Sequence, residues 1–290
     1  MTTPPNIPNV IYRQHHNNIE YLCLEVLWRR GQQYSPPPTD LHRVSFHCLY
    51  RAKCYGTHYI DFESYDYKPG DMVYIAPGQI HAYDSKSKLQ GELLVFTDDY
   101  YQEIKALIPD NCLQLCKQRP VWQPDLTLST VIDNTIALIA LQQNLPLPAI
   151  SNQLILSNLL ISISQAHKLA GGEPRLQIKY QKLLELIQSH MCTTRHAKDY
   201  AQYMAMSYSK LNSVCLKVSG YTLKKTIDNQ IVLEAKRLLV TSPLNINQLS
   251  ERLGFDETTN FIKFFNRYLG ITPKKFRDKG AQVLPFSVQL

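Results

Sequence analysis

Two segments near the end of the chain place polar and cationic side chains at helical spacing, and such side chains can contact nucleic acid. In the first segment the outward side chains are Tyr208, Ser209, Asn212, Ser213, Leu216 and Lys217. In the second segment they are Thr258, Thr259, Ile262, Lys263, Asn266 and Arg267. Hydroxyl, amide and cationic groups on one helix face can contact base edges and phosphates in a DNA major groove. A solvated helix face without a partner has a similar composition, so one segment alone leaves both interpretations open.

The two segments are copies of one repeated unit. Residues 220–225 lie 50 residues before the similar residues 270–275, and Leu211 lies 50 residues before Phe261. Each copy is predicted to contain a short helix, a tight turn and a second helix, which is the layout of a helix-turn-helix unit. The predicted helix pairs are about 197–204 with 207–218, and about 246–253 with 257–268. The apolar residues predicted to face the core of the second copy are Ile246, Leu249, Leu253, Phe255, Phe261, Phe264, Phe265 and Tyr268.

The positive charge of the chain is concentrated in the half that contains this repeat. Residues 1–170 hold 13 Lys and Arg against 15 Asp and Glu (net −2), whereas residues 171–290 hold 18 against 9 (net +9). An excess of this size is expected of a protein that binds a polyanion, although a basic surface without a partner would give the same count. Further helices predicted over about 175–190, 222–241 and 273–279 make this part all-helical. The charge and the repeat together favour DNA binding.

The second copy resembles the DNA-binding signature of the AraC/XylS family of transcription regulators. The resemblance covers roughly residues 180–280, and it rests on residues 231–239, Ile246, Gly254, Phe255, Phe261, Phe264, Phe265, Tyr268, Gly270, Ile271, Thr272, Pro273, Phe276 and Arg277. It implies two helix-turn-helix units joined by the long helix predicted over 222–241. Each unit would place one recognition helix in successive major-groove segments of double-stranded DNA. The DNA-binding residues that it implies, with the cations of the same face added, are Ser209, Asn212, Ser213, Lys217, Thr258, Thr259, Lys263 and Arg267.

The first copy departs from the family pattern in two respects. Its turn has Ala205 where a glycine would adopt a left-handed conformation at little cost. Its outer face has short Ser and Asn side chains where relatives often have a long cationic one, which puts strong base contact by this copy in question.

The N-terminal part has the pattern of a β-rich domain followed by a helical hairpin. Short runs of Tyr, Val, Ile, Cys and Phe alternate with turn residues from 19 to 96, and the alternation over 21–26 and 59–63 predicts half-buried strands. Turn residues at 68–71 and 76–78 bracket a short strand over 72–75. An antiparallel barrel or sandwich is therefore expected. Helices predicted over 126–141 and 150–169, separated by Pro146 and Pro148, are apolar around much of their circumference, and we expect them to form a homodimer interface.

Residues 67–81 resemble the second motif of cupin barrels, the usual effector-binding domain of this regulator family. A small barrel can hold one small ligand, and the residues predicted to line such a site are His42, Tyr50, Tyr59, Tyr74, His81 and Tyr83. The alternative, equally weighted, is that these tyrosines fill the barrel core. A bound metal is not expected, because His42, His47 and His81 include no His-x-His pair and no carboxylate at the matching spacing.

The fold class predicted is α+β, with a cupin-like effector-binding and dimerisation domain at 1–170 and an all-helical DNA-binding domain at 171–290. The function predicted is a DNA-binding transcription regulator controlled by a small effector, with RNA polymerase as a further candidate partner. Two alternatives stay open: a metal-dependent cupin enzyme with an accessory helical domain, and a regulator controlled by protein partners or dimerisation alone. The sequence contains no nucleotide-binding fingerprint and no arrangement typical of a catalytic nucleophile, so we expect neither enzymatic activity nor a cofactor.

The composition also bears on the cellular compartment. The seven cysteines follow no regular spacing, which is typical of reduced thiols in a cytoplasmic protein. The chain begins without the basic and apolar segments of a secretory signal, and no apolar run approaches the roughly twenty residues of a membrane span. We therefore expect a cytoplasmic protein. The sequence does not indicate the effector, the operator, the target genes, or whether transcription is activated or repressed.

Overall fold

The computed structural model describes residues 8–10, 18–29, 40–84, 89–109, 112–113, 116–117, 119–142, 149–169 and 174–279. These residues belong to two compact units, one within 8–170 and one within 171–290. Residues 171–173, at which the charge changes sign, and the prolines at 146 and 148 lie outside the described residues. Each unit is treated by itself below.

The strands of the N-terminal unit form two five-stranded sheets. Sheet 1 has the order β1-β3-β8-β5-β6 and sheet 2 the order β10-β7-β4-β9-β2. All pairings are antiparallel except that of β1 with β3. The strands are β1 Asn9–Val10, β2 Ile19–Cys23, β3 His42–Val44, β4 Phe46–Ala52, β5 Gly56–Ile60, β6 Glu63–Tyr67, β7 Met72–Ile75, β8 Ile80–Tyr83, β9 Gly91–Thr97 and β10 Val121–Trp122. The antiparallel β-rich fold predicted from the alternating pattern, a barrel or sandwich, is confirmed, and the structure shows two sheets.

Alternate residues of sheet 2 enter two separate hydrophobic cores. Tyr50 on β4 and Val95 on β9 belong to the core between the two sheets. Their neighbours Leu49 and Phe96 belong to the core on the other face of sheet 2. This second core is covered by α2 (Asp98–Ile104), α3 (Leu126–Gln142) and α4 (Ala149–Leu169). A strand places successive side chains on opposite faces, so most positions of the doubly covered strands β4 and β9 are buried.

Two of the predicted alternating runs are not continuous strands. Strand β2 ends at Cys23, and the next residue begins helix α1 (Leu24–Arg29). The run over 59–63 is a hairpin: Asp61 and Phe62 have φ values of +50° and +75° and form the two-residue turn between β5 and β6. The Asp61 carboxylate accepts hydrogen bonds from Gln79 Nε2 (2.7 Å) and from the amide of Ile80 (3.2 Å). These bonds from the neighbouring segment fix the turn, and the sequence alternation does not show them.

The C-terminal unit is helical throughout the described residues 174–279. Its helices are α5 Pro174–His190, α6 Ala197–Tyr203, α7 Tyr208–Ser219, α8 Leu223–Thr241, α9 Ile246–Arg252, α10 Thr258–Leu269 and α11 Pro273–Lys279. Every bound lies within one residue of the bound predicted from the sequence, and α3 and α4 of the other unit agree as closely. In the part of the chain that the structure describes, no helix is both long enough and apolar enough to cross a membrane.

Candidate DNA-binding interface

The C-terminal unit contains the predicted turn twice, with the same hydrogen bonds. In the first copy (unit 1: α6, its turn and α7), the amide of Ala205 donates to the carbonyl of Gln202, and the amide of Met206 donates to the carbonyl of Ala201, both at 2.9 Å. In the second copy (unit 2: α9, its turn and α10), the residues 49 positions later make the same two bonds, at 2.9 and 3.0 Å. The repeat seen in the sequence is therefore a repeat of backbone structure.

Both turns place one residue in the left-handed region. Ala205 has a φ of +49°, and Gly254, at the same place in unit 2, has a φ of +73°. A Cβ on Gly254 would lie 2.6 Å from the carbonyl oxygen of Cys192, which is too close for any side chain. Ala205 is exposed. The glycine is therefore required in unit 2 for two reasons, whereas the alanine of unit 1 has only the cost of its backbone conformation.

The inner faces of the two recognition helices, α7 and α10, are buried at matching positions. Phe261, Phe264 and Phe265 of α10 are buried, and the Phe265 ring packs edge-on against Phe276 at 5.5 Å between centroids. The positions 50 residues earlier, on α7, are the buried residues Leu211, Val214 and Cys215. Of the predicted core residues of unit 2, only Ile246 and Tyr268 are partly exposed. The burial of these faces leaves the opposite faces free for a partner.

Most of the side chains predicted to bind DNA lie on these outer faces. The exposed ones are Ser209, Ser213, Lys217, Thr259, Lys263 and Arg267. Thr258, in the first turn of α10, is partly buried, and Thr259 Oγ1 donates a hydrogen bond to the Glu257 carboxylate at 3.1 Å. The Arg267 guanidinium lies 5.2 Å from the centre of the Tyr268 ring, which holds this cation at the end of α10. Both faces therefore present groups that suit a major groove, and the predicted DNA-binding side chains include one cation on α7 and two on α10.

Asn212, a predicted DNA-binding residue, forms a bond to another helix that the sequence did not indicate. Its side-chain oxygen accepts a hydrogen bond of 2.8 Å from the backbone amide of Leu223, the first residue of α8. This bond satisfies one of the free amides at the start of that helix. Asn212 therefore fixes α7 against α8, and its amide oxygen is not available to a base in this arrangement.

Helix α8 also contacts the end of the other recognition helix. Asp228 of α8 is almost completely buried, and its carboxylate accepts hydrogen bonds of 2.6 Å from Tyr268 Oη and from Lys224 Nζ. Burial, together with the Asp228 charge, raises the pKa of Tyr268 to about 12. The ammonium of Lys225 lies 4.1 Å from the centre of the same ring. The first two turns of α8 thus contact both recognition helices and set their relative position.

Three buried histidines of the N-terminal unit, His42, His58 and His81, lie close together. His58 Nε2 and His81 Nδ1 lie 3.0 Å apart, so one ring donates a hydrogen bond to the other. The ring centroids of His42 and His81 are 4.2 Å apart, and those of His58 and Tyr83 are 4.4 Å apart. Burial lowers the pKa of all three imidazoles, that of His58 to about 3, so the rings are neutral at neutral pH. Tyr50 closes the cluster, with its ring 6.0 Å from that of Tyr83.

The structure brings together four of the six residues predicted to line an effector site. His42, Tyr50, His81 and Tyr83 face the space between the sheets, whereas Tyr74 belongs to the core on the other face of sheet 2. There Tyr74 Oη is hydrogen-bonded to His47 Nδ1 at 2.8 Å. Tyr59 is partly exposed and lies on the outer side of β5. The sequence analysis missed His58, although its spacing of two from the buried Ile60 places it on the inner side.

Among the described residues, no group of three or more His, Cys, Asp and Glu side chains is placed to hold a metal ion. His58 and His81 each have one buried nitrogen, Nδ1 and Nε2 respectively, with no hydrogen-bond partner. In either tautomer of the pair, one of these two nitrogens is a donor and the other an acceptor.

Known proteins show the same C-terminal unit. A family model described as a helix-turn-helix domain matches residues 200–279. The regulatory protein PocR of Salmonella typhimurium is 26% identical over 116 residues, which cover 40% of this chain and 38% of PocR. The arabinose operon regulatory protein of Salmonella typhimurium is 22% identical over 229 residues, covering 74% of this chain and 77% of that protein. The C-terminal unit is an AraC-type helix-turn-helix domain.

The AraC-type domain is what most of these relatives share with the chain. The xylose operon regulatory protein of Escherichia coli is 25% identical over 101 residues, and the match covers 26% of its length. The chain thus spans well under half the length of PocR and of this protein. Among solved structures, ToxT from Vibrio cholerae covers 92% of this chain with 11% identity and a TM-score of 0.42. The AraC/XylS resemblance predicted from the sequence is confirmed for the AraC-type domain.

Proposed function

We propose that this protein is a sequence-specific DNA-binding transcription regulator, controlled by a small molecule bound in its N-terminal unit. The observation that supports DNA binding is the pair of helix-turn-helix units with exposed polar and cationic outer faces, Lys263 and Arg267 among them. Helix α8 contacts both recognition helices, so the two faces are held in a fixed relation. The net charge of +9 on residues 171–290 favours attraction to phosphate.

Selection from random double-stranded DNA with the full chain tests DNA binding. We expect enrichment of one sequence class, and weaker binding to it after substitution Lys263→Ala. Lys182→Ala is the matched control, because Lys182 is an exposed lysine of α5 and lies outside both helix-turn-helix units. The absence of any enriched sequence, or equal losses for the two lysine variants, would contradict the proposal.

The effector site that we propose lies between the sheets, beside His42, His58, His81 and Tyr83. The donor and acceptor presented by the unpartnered nitrogens of His58 and His81 suit a small neutral ligand that can both accept and donate hydrogen bonds. A screen of small metabolites for thermal stabilisation of the protein would find the ligand. His81→Phe should abolish the shift, whereas the control Tyr59→Phe, on the outer side of β5, should retain it. A metal-dependent enzyme would instead require bound metal, so metal analysis of the purified protein distinguishes the two functions.

We also propose a homodimer that uses the helical hairpin. Leu138 and Leu141 near the end of α3, and Ile150 and Leu154 near the start of α4, are large apolar side chains that remain exposed in the single chain. Leu141→Glu should convert the dimer to a monomer in sedimentation velocity at micromolar concentration. Leu126→Glu, at the other end of α3 and more exposed than Leu141 (85% against 62%), is the control that should leave the dimer intact. A monomeric parent protein, with and without DNA, would contradict this part.

The domain boundary and the cellular location belong to the same proposal. A boundary near residue 171, where the charge changes sign, predicts that a 171–290 fragment folds and binds the selected DNA without the N-terminal unit. A cytoplasmic regulator would also contact RNA polymerase, which a pull-down on promoter DNA would test. Residues 1–170 alone should not bind DNA.

A further inference from the structure

The outer face of α7 differs chemically from that of α10 at two of its positions. Tyr208 and Leu216 are each 45% exposed on α7. The residues 50 positions later on α10 are the polar Thr258 and Asn266. Where unit 2 offers hydroxyl and amide groups, unit 1 therefore offers apolar surface to whatever lies against it.

The polar groups on the same face of α7 have little capacity to distinguish bases. Ser209 and Ser213 are short, and the Asn212 oxygen is bonded to the Leu223 amide between the two apolar residues. Residues 208, 212 and 216 lie four apart, so they form one stripe along the helix, about 12 Å long at a rise of 1.5 Å per residue. This length matches three to four base pairs of B-DNA.

The charges around the stripe favour nucleic acid as its partner. Lys210 and Lys217 are exposed lysines of the same helix, whereas the ammonium groups of Lys224 and Lys225 in the first turn of α8 already contact Asp228 and the Tyr268 ring. Exposed apolar side chains among lysines suit a polyanion that also presents apolar groups. In the major groove the apolar group is the C5-methyl of thymine, which apolar side-chain groups contact directly.

We propose that unit 1 recognises thymine methyl groups through Leu216 and Tyr208, while unit 2 recognises its bases through hydrogen bonds. This inference rests on the proposed DNA-binding function and extends it to the composition of the operator. The half-site under α7 should contain thymines whose methyl groups contribute to affinity, and at least one of these contributions should depend on Leu216.

Uracil scanning of the selected operator tests the inference with the full chain. Replacing one thymine by deoxyuridine removes one methyl group and leaves every hydrogen-bonding group of the base pair unchanged. At one or more positions this change should weaken binding by the parent protein about fourfold, the value expected for one buried methyl group. Leu216→Ala should remove the uracil effect at one of these positions, because the methyl group then has no partner.

Asn266→Ala, at the matching position of unit 2, is the control and should leave the whole uracil profile unchanged. Circular dichroism melting would establish that both variants are folded, as expected for exposed positions. If the parent protein binds the operator equally well with every thymine replaced, or if Leu216→Ala retains every uracil effect, the inference is overturned. If no operator can be selected at all, it is the DNA-binding function itself that fails.

Discussion

The two helix-turn-helix units share one backbone conformation, but almost every side chain in their cores differs. Their turns make the same hydrogen bonds, and both recognition helices end at a glycine with φ near +70° (Gly220 and Gly270). Yet the buried trio of α10 consists of phenylalanines, and that of α7 consists of Leu211, Val214 and Cys215. The comparison teaches that the spacing of buried positions and the geometry of the turn define this unit. The size of the buried side chains adjusts to the local space.

The outer faces differ in the same pairwise manner. Ser213 of α7 corresponds to Lys263 of α10, and Leu216 corresponds to Asn266, whereas Lys217 and Arg267 are both cations. One fold therefore supports two surfaces with different chemistry. Substitutions at matched positions measure whether stability and DNA binding depend more on unit 2 than on unit 1.

Substitutions in the two cores are expected to show the largest difference, measured as the loss in the free energy of unfolding. Phe265→Ala should lower the free energy of unfolding by about 3–5 kcal/mol, because it removes a fully buried ring that packs against Phe276. Cys215→Ala, at the same position of unit 1, removes a single sulfur atom and should cost about 1 kcal/mol. Urea denaturation of the two variants measures both values. Equal losses would show that unit 1 is as dependent on this position as unit 2.

The next difference concerns the turn of unit 2. Gly254→Ala should destabilise the protein by at least about 1–2 kcal/mol, the cost of a left-handed conformation for an L-residue. The contact of the new Cβ with the Cys192 carbonyl, 2.6 Å away, adds to this loss. A thermal melting temperature equal to that of the parent would show that the segment around Cys192 can move away from the turn.

On the outer faces, substitution of unit 2 should have the greater effect on affinity. Lys263→Ala and Thr259→Ala should each weaken binding to the selected operator by about 1–3 kcal/mol if the side chain contacts a base edge. Ser213→Ala should change affinity by less. If Lys263 contacts only phosphate, its loss should weaken binding to all sequences alike and reduce the salt slope by about one unit. Operator titrations at several salt concentrations distinguish these outcomes, and unchanged affinity in folded variants would mean that α10 is not in the groove.

The smallest effect is expected at the turn of unit 1, and its sign is opposite to that at Gly254. Ala205→Gly should stabilise the protein by about 0.5–1 kcal/mol, because glycine removes the left-handed strain of Ala205 and loses part of that gain through its greater freedom in the unfolded chain. Differential scanning calorimetry can resolve the corresponding rise in melting temperature. A decrease would indicate that the Ala205 methyl group makes a contact worth more than the strain.

The sequence allowed the helices of the C-terminal unit to be predicted to within one residue, because their periodicity, caps and repeat agree. The β-rich unit was harder. Alternation continues in the sequence past Cys23 and through Asp61 and Phe62, although a helix begins after the former and a turn is formed by the latter pair. The turn depends on partners distant in sequence, since Asp61 is bonded to Gln79 and to the amide of Ile80.

In the candidate sites, too, the sequence did not indicate contacts between residues that are distant along the chain. The outer faces of α7 and α10 followed from helical spacing, but the bond of Asn212 to Leu223 and that of Tyr268 to Asp228 join different helices, and no local pattern indicates them. Tyr59 and Tyr74 were grouped with the interior residues by chemical type alone. Strand parity separates them, and the same parity would have identified His58.

Helix α8 is the rigid element that sets the spacing between the two recognition helices. Its 19 residues span about 28 Å at 1.5 Å per residue, and its first turns are bonded to both recognition helices. One residue inserted between Leu223 and Asp228 would rotate Asp228 by about 100° around the helix axis relative to Leu223, so that the bonds to Asn212 and Tyr268 could not both form. The spacing of Leu223 and Asp228 along α8 therefore sets the distance between the two recognition helices, and the proposed DNA binding would require a constant number of base pairs between the two segments that they contact.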